Sequence, residues 1–497
     1  MGKKYIISID QSTQGTKALL FDDKGTLLKR TDYLHKQIVT QEGWVSHDLT
    51  EIYHNTIAAV KTLVNESNID KTSIVGVGIS NQRETSAAWN KKTGEPIANA
   101  VVWQCARAKD ICKRLEIEKR DETISQKTGL RLSPYFPAGK FAWILENVPE
   151  ARTLLEEKNL CLGTIDSWLI YKLTGGKEFS TDYSNASRTQ LFNIHTLEWD
   201  EEICRFFQID PACLAKVCDS NSFFGETDFE GLLEQPVPIM GVLGDSHGAL
   251  FGQGCLRAGM IKATYGTGSS IMMNIGEQPV LSESGIVTSI AWGMNGKVSY
   301  VLEGNINYTG AVISWLKDDL KLIDSAEETG PLVKEANPKD CTYFVPAFTG
   351  LLAPYWDSEA KANFSGISRT TGKAEMVKAA LDSIAYQIND VIKVMETDAG
   401  MEIKELRVDG GPTKNEYLMQ FQSDIGNIKV CVPQMEELSG IGAAFMAGIA
   451  LNIYDDQIFM QAKSNVFTSK MEPVVRNLKC EGWKKAVKLV LTNSRKI

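Results

Sequence analysis

Residues 5–22 read YIISIDQSTQGTKALLFD, and this stretch decides the fold. YIISI is a short apolar strand that ends on the carboxylate of Asp10. A polar turn, QSTQGT, follows, and KALLFD is a second strand. Asp22-Asp23-Lys24-Gly25 then carries a hairpin signal, which predicts a third strand over residues 26–32. Residues 49–64 repeat apolar side chains at helical spacing, with Ile52, Ile57, Val60 and Leu63 among them. SIVGVGIS, residues 73–80, returns to a buried strand built of small residues. Strand, strand, strand, helix, strand is the order of a mixed sheet with helices packed on it.

The same kind of segment returns in the second half. Residues 259–274, GMIKATYGTGSSIMMN, read strand, glycine-rich turn, strand, and residues 297–303 add another strand. Residues 372–400 carry the strongest helical periodicity, through Val377, Ala380, Leu381, Ile384, Ile388, Val391 and Met395, with Gly400 as the stop. A strand at 406–408 runs into Asp409-Gly410-Gly411, and residues 442–451 form a small-residue helix suited to close packing. The expected architecture is α/β, two related halves facing a cleft, 1–250 and 251–497. No Pro/Ser-rich linker separates them, so the halves should be intimately joined.

Composition narrows the function. The chain has 497 residues, 43% hydrophobic and 23% charged, and 53 Lys plus Arg against 62 Asp plus Glu leave a net charge of −9. That balance disfavours nucleic acid and anionic membranes as partners. No apolar run is long enough to span a bilayer. MGKKYIISIDQST has no secretory apolar core, which predicts a cytoplasmic protein. Ten cysteines and five histidines show no zinc-site spacing, so the thiols are expected reduced and mostly buried.

Neither G-x-x-x-x-G-K-[ST] nor a full G-x-G-x-x-G occurs, because GVGISN, GTGSSI and GIGAAF each lack the third glycine. What does occur is Asp10 followed by Ser12, Thr13, Gln14, Gly15 and Lys17. A carboxylate at a strand end, then hydroxyls, glycine and a cation, can hold a metal and phosphate oxygens, although a plain polar hairpin has the same composition. Tyr265-Gly266-Thr267-Gly268-Ser269-Ser270 repeats that character. Two such turns in corresponding places could grip a triphosphate between the halves. Gly410-Gly411 could floor a purine or simply form a tight turn. Arg83-Glu84, past the strand at 73–80, offers a donor fork and an acceptor for vicinal hydroxyls, or a surface ion pair. Asp245 follows an apolar run, where a general base or a helix cap could stand. Trp103 and Tyr135 could wall a sugar pocket or belong to the core, and His247 is a second candidate base or a structural histidine.

With these residues in view, the sequence resembles the FGGY carbohydrate kinases and, within them, the glycerol kinases. The resemblance runs nearly end to end, through SNQRETSAAW, VVWQCARA, GTIDSWLIYKLTGG, TDYSNASRTQLFNIHTLEWD, VPAFTGLLAPYWD and VDGGPTKNEYLMQFQSDI. It implies two ribonuclease-H-like domains of the actin/hexokinase type around a central cleft, with ATP and Mg2+ as cofactors. It further implies Asp10 at the metal. Thr13, Gln14, Gly15, Lys17, Gly266 and Thr267 would lie at the phosphates, and Gly310, Gly411 and Asn415 by the nucleotide. Arg83, Glu84, Trp103, Tyr135 and Asp245 match the polyol-binding positions, with Asp245 as base. The expected activity is phosphorylation of glycerol or a close analogue by a homo-oligomer, dimer or tetramer.

Four positions depart from the glycerol-kinase pattern: Ser246 stands for Gln, Ser270 for Phe, Lys17 for Arg and Ala106 for Arg. The first two remove volume beside the substrate and suit a longer, more hydroxylated acceptor, a tetritol or a ketopentose such as xylulose or ribulose. Residues 227–237, TDFEGLLEQPV, match neither the glycine-rich loop that binds fructose 1,6-bisphosphate nor the phosphorylated histidine of some relatives, so neither control is expected. A non-catalytic sugar sensor on the same fold is the rival of a different class, and an actin- or chaperone-like ATPase is a third.

Overall fold

The computed structural model describes residues 2–460 and 463–492, so residues 493–497 of the expected second half lie outside it. Two sheets carry the molecule. In the first, the strands run in the order Glu226–Thr227, Val237–Gly244, Ile74–Asn81, Tyr5–Gln11, Gly15–Asp22, Leu27–Leu34. In the second the order is Val287–Met294, Lys297–Ile306, Ser269–Gly276, Ile261–Tyr265, Glu405–Asp409, Lys429–Pro433, Ser464–Phe467. Each sheet joins antiparallel strands to a parallel core: Tyr5–Gln11 with Ile74–Asn81 in one, Ile261–Tyr265 with Glu405–Asp409 in the other. The strand order is therefore duplicated, which defines two ribonuclease-H-like domains of the actin/hexokinase type. A further five-stranded sheet, containing Ser86–Asn90 and Leu160–Thr164, widens the first half.

Most elements follow their sequence signals. The helix Leu49–Glu66 buries Ile52, Ile57, Val60 and Leu63, and Asp48 caps it by accepting from the Thr50 and Glu51 N–H groups. Lys373–Ala399 buries its apolar stripe and ends at Gly400, whose φ of 63° is the left-handed stop. Several boundaries shift, the strand expected over 297–303 running on to Ile306 among them. The third strand is Leu27–Leu34 rather than 26–32, because its pairing with Gly15–Asp22 continues to Gly15 opposite Leu34. The small-residue helix is Leu438–Ala450 rather than 442–451, since Ser439 and Gly440 already lie in its first turn.

That helix lies in sequence between two strands of the second sheet, Lys429–Pro433 and Ser464–Phe467, and packs on the first in space. Phe445 and Met446 share one buried cluster with Ile6, Leu19, Phe21 and Leu250. Glycines permit the approach. A Cβ on Gly442 would lie 1.9 Å from the Gly248 carbonyl oxygen, and one on Gly78 would lie 2.3 Å from the Ala443 carbonyl oxygen. The partner at Gly248 is the helix Asp245–Gly252, whose first residue is Asp245. The packing thus fixes a candidate site residue as well as the joint between the halves. All ten cysteines are free and most are buried, as expected. No described helix is long and apolar enough to cross a membrane.

Backbone cannot yield to a methyl group as a flexible side chain does. Gly442→Ala is expected to lower unfolding stability by about 2–4 kcal/mol in denaturant titration. Gly330→Ala, where a Cβ meets nothing within 4 Å, should change it by less than about 1 kcal/mol.

Candidate active site

The parallel strands of both sheets end at one cleft of about 770 Å3. Asp10 sits near the end of Tyr5–Gln11, Asp245 directly follows Val237–Gly244, and Asp409 ends Glu405–Asp409. This is the edge where open α/β sheets leave room for ligands. Of the residues singled out in the sequence, Asp10, Lys17, Asp245, Ser246 and Gly411 line the cleft together. Burial raises the Asp10 carboxyl to about 6, partly offset by Lys17, whose Nζ lies 3.9 Å away. Lys17 also pairs with Glu437 across the cleft at 2.5 Å.

The two glycine turns are built as tight corners. The Ser12 N–H donates to the Gly15 carbonyl at 2.8 Å, and Thr13 Oγ1 accepts from the Trp103 indole N–H at 2.9 Å. Gln14 is exposed. In the second half, Gly266 N–H bonds the Gly268 carbonyl at 2.8 Å, and the Gly310 N–H bonds the Gly266 carbonyl at 2.9 Å. Gly310 thereby seats the helix Gly310–Ser314 on the Gly266-Thr267 corner. Asn415 caps the helix Glu416–Gly426 by accepting from the Leu418 N–H, and its amide donates to Thr329. Thr13, Gln14, Gly15, Gly266, Thr267, Gly310 and Asn415 are not among the lining residues of the cleft itself, and neither are Arg83, Glu84, Trp103, Tyr135 and Ser270 of the expected acceptor set.

A charge cluster forms the floor beside Asp245. Arg83 donates from Nη1 and Nη2 to both Glu303 carboxylate oxygens, at 2.8 and 3.0 Å, and its Nε lies 3.2 Å from Asp245 Oδ1. Arg188 donates from Nε to Glu84 Oε1 at 2.6 Å and its Nη1 lies 3.1 Å from Glu303. Arg83 Nε lies 3.9 Å from Glu84 Oε1, so Arg83, Glu303, Arg188 and Glu84 close a ring of alternating charge. All four are buried, while the Asp245 side chain keeps 37% exposure. Burial works against the Glu303 carboxylate, yet the Arg188 and Arg83 guanidiniums hold it well below the usual carboxylate range. Ser270 Oγ lies 3.5 Å from Glu303 Oε1. Trp103 and Tyr135 meet edge to face with ring centroids 5.7 Å apart.

His247 takes no place in the cleft. It is fully buried, its Nε2 meets Ser289 Oγ at 3.3 Å, and burial, then the charge of Arg83, pushes its imidazole well below the usual range. Sequence reasoning missed Arg188, Glu303, Glu437, Lys262 and Lys140. A signal existed for Glu303, a carboxylate closing the apolar run VSYVL, because a strand buried on both faces carries a charge only when it is paired. Glu437 had none, since it precedes its helix with φ at 66°.

A two-lobed cleft with a carboxylate on each lobe-bearing strand end defines a group-transfer enzyme of the actin/hexokinase class. Residues 5–252 match the N-terminal domain, and residues 261–451 the C-terminal domain, of the FGGY family of carbohydrate kinases. Glycerol kinase 1 of Thermotoga maritima is 46% identical over 98% of this chain and all of its own length. The glycerol kinase of Staphylococcus epidermidis is 44% identical over 98% of each chain. The crystal structure of Plasmodium falciparum glycerol kinase with ADP superposes with a TM-score of 0.92 at 36% identity, covering 99% of each chain. The chain belongs to the FGGY carbohydrate kinases, which transfer a phosphoryl group to an alcohol acceptor.

Breaking a buried ion ring strands a charge. Arg188→Met is expected to cost about 3–5 kcal/mol in unfolding free energy. A loss under about 1 kcal/mol would show that the ring contributes little.

Proposed function

We propose that the protein phosphorylates glycerol or a close polyol analogue with ATP. The observation that carries this reading is the Arg83–Asp245 contact at 3.2 Å, a buried guanidinium held against a carboxylate that lines the cleft. The glycerol-kinase relatives at 44–46% identity support the same acceptor. Asp245 accepts the hydrogen bond of the attacking hydroxyl and orients its oxygen. In a loose phosphoryl-transfer transition state the proton leaves late, so a weak base suffices. Arg83 and Glu84 hold the vicinal hydroxyls, and the faces of Trp103 and Tyr135 cover the carbon chain. Ser246 and Ser270 border the acceptor.

The nucleotide lies between the lobes. Thr13, Gln14, Gly15 and Lys17 from one corner and Gly266 and Thr267 from the other serve the phosphates, while Gly310, Gly411 and Asn415 lie by the nucleoside. Among the described residues no cluster of three metal-ligating side chains exists. The hard oxygens of Asp10, lining the cleft, nonetheless suit Mg2+, which is normally held by one or two carboxylates plus phosphate and water. Bound through Asp10, that ion supplies charge neutralisation at the phosphates. Lobe closure excludes water as a competing acceptor. The division of labour follows the two halves, 1–250 for the acceptor and phosphates and 251–497 for the nucleotide. The proposed setting is cytoplasmic, consistent with ten unpaired cysteines, and the proposed assembly a homo-oligomer.

One observation favours a larger acceptor. Ser270, where related kinases carry a bulky ring, leaves Glu303 Oε1 within 3.5 Å of a small hydroxyl. ADP release measured over glycerol, erythritol, dihydroxyacetone and the ketopentoses decides the acceptor, and silence with every one of them would refute kinase activity. Asp245→Ala should lower kcat by about 10^3-fold while ADP still binds. Ser270→Phe should raise the preference for glycerol over longer acceptors by about tenfold, and an unchanged ratio would remove Ser270 from specificity.

A further inference from the structure

Lys140 is fully buried in the first turn of the helix Pro137–Asn147. Its ammonium donates to three main-chain carbonyls: Glu84 at 3.1 Å, Trp103 at 3.4 Å, and Tyr135. These three belong to separate segments of the chain, and they are the three uncharged-backbone anchors of the acceptor wall described above. An ammonium offers three donors, so its capacity is spent on that wall.

Burial at this position works against a cation. Burial drives its pKa down to about 7, against the pull of the Glu84 carboxylate and, more weakly, of Cys105 and Cys112, with Arg107 opposing. The helix N-terminus presents a partial positive charge of its own. A second observation bears on the same place: Glu84 has φ at 60°, a left-handed conformation that costs a residue with a side chain on the order of 1–3 kcal/mol. The Glu84 carbonyl accepts from Lys140 and, at 3.4 Å, from the Ser86 hydroxyl, and the turn aims the Glu84 carboxylate at Arg188.

We propose that Lys140 is a positioning residue for the acceptor, fastening Glu84, Trp103 and Tyr135 into one wall from behind. It touches no substrate. Its reach extends to the phosphate corner, because the Trp103 indole it steadies donates to Thr13 Oγ1. This inference rests on the reading of Glu84, Trp103 and Tyr135 as the acceptor wall.

The test is steady-state kinetics on Lys140→Met and Lys140→Gln, with ADP binding as the measure of a folded nucleotide site. The expected result is a KM for the acceptor raised about tenfold or more in Lys140→Met, where three carbonyls lose their partner, and by a smaller factor in Lys140→Gln, which keeps two donors. The KM for ATP should stay within about twofold in both, since uniform loss of acceptor binding leaves the nucleotide untouched. An acceptor KM equal to that of the wild type in either folded variant overturns the proposal. Loss of ADP binding in both overturns it too, because it marks a lysine that the whole fold requires. A wild-type chain with no acceptor-dependent ADP release refutes the acceptor site itself. An active wild type with unmoved variants refutes only the part given to Lys140.

Discussion

Two arginines and two glutamates sealed from water at the base of the cleft hold the rest in place. A lone charge buried at that depth costs several kcal/mol, and the cost is met only by close opposite charges with good hydrogen bonds. Each member of the Arg83–Glu303–Arg188–Glu84 ring has an opposite charge on both sides. The ring sums to zero, so the net charge of the cluster belongs to Asp245, the member that still meets solvent. Asp245 therefore faces the cleft beside a guanidinium whose orientation is fixed from behind. The ring fixes the guanidinium that Asp245 meets at the edge of the cleft.

The ring also ties the halves together. Glu303 lies on Lys297–Ile306 of the second sheet, while Arg83, Glu84 and Arg188 belong to the first half. The helix Leu438–Ala450 makes the same crossing in reverse, with glycine faces pressed on Gly248, Gly78 and Gly241. Both contacts lie deep. Nearer the opening, the halves meet through Lys17 and Glu437, a partly exposed pair that also draws Arg30. Buried pairs resist displacement more than partly solvated ones. A sliding of one half past the other would break the ring.

The fold was legible wherever a pattern is local. Alternating strands, the stripe of Lys373–Ala399 and its Gly400 stop all obey short-range rules, and the duplication of strand–turn–strand announced two halves. Asp10, Asp245 and Gly411 were legible as strand-end residues, and the structure brings them to one cleft. What escaped is what depends on contacts far apart in sequence. Arg188 and Glu84 are separated by 104 residues and Arg83 and Glu303 by 220, and no spacing rule joins them. Asn415 could be marked by motif, but its role as a helix cap toward Leu418 follows from geometry. Lys140 carried no signal at all, since a lysine in the first turn of a helix ordinarily reads as solvated.

The departures at Ser246 and Ser270 acquire meaning from the same cluster. Ser246 follows Asp245 on its helix, and Ser270 lies beside Glu303 on the second sheet, so the two departures stand on opposite halves, each next to a carboxylate that meets Arg83. A large ring at 270 would cover Glu303 and present carbon to the acceptor. A serine there leaves a polar surface within reach of a carboxylate whose charge is already spent on two arginines. Such a surface accepts hydrogen bonds without imposing a net charge, and it rewards an additional hydroxyl more than an additional methylene.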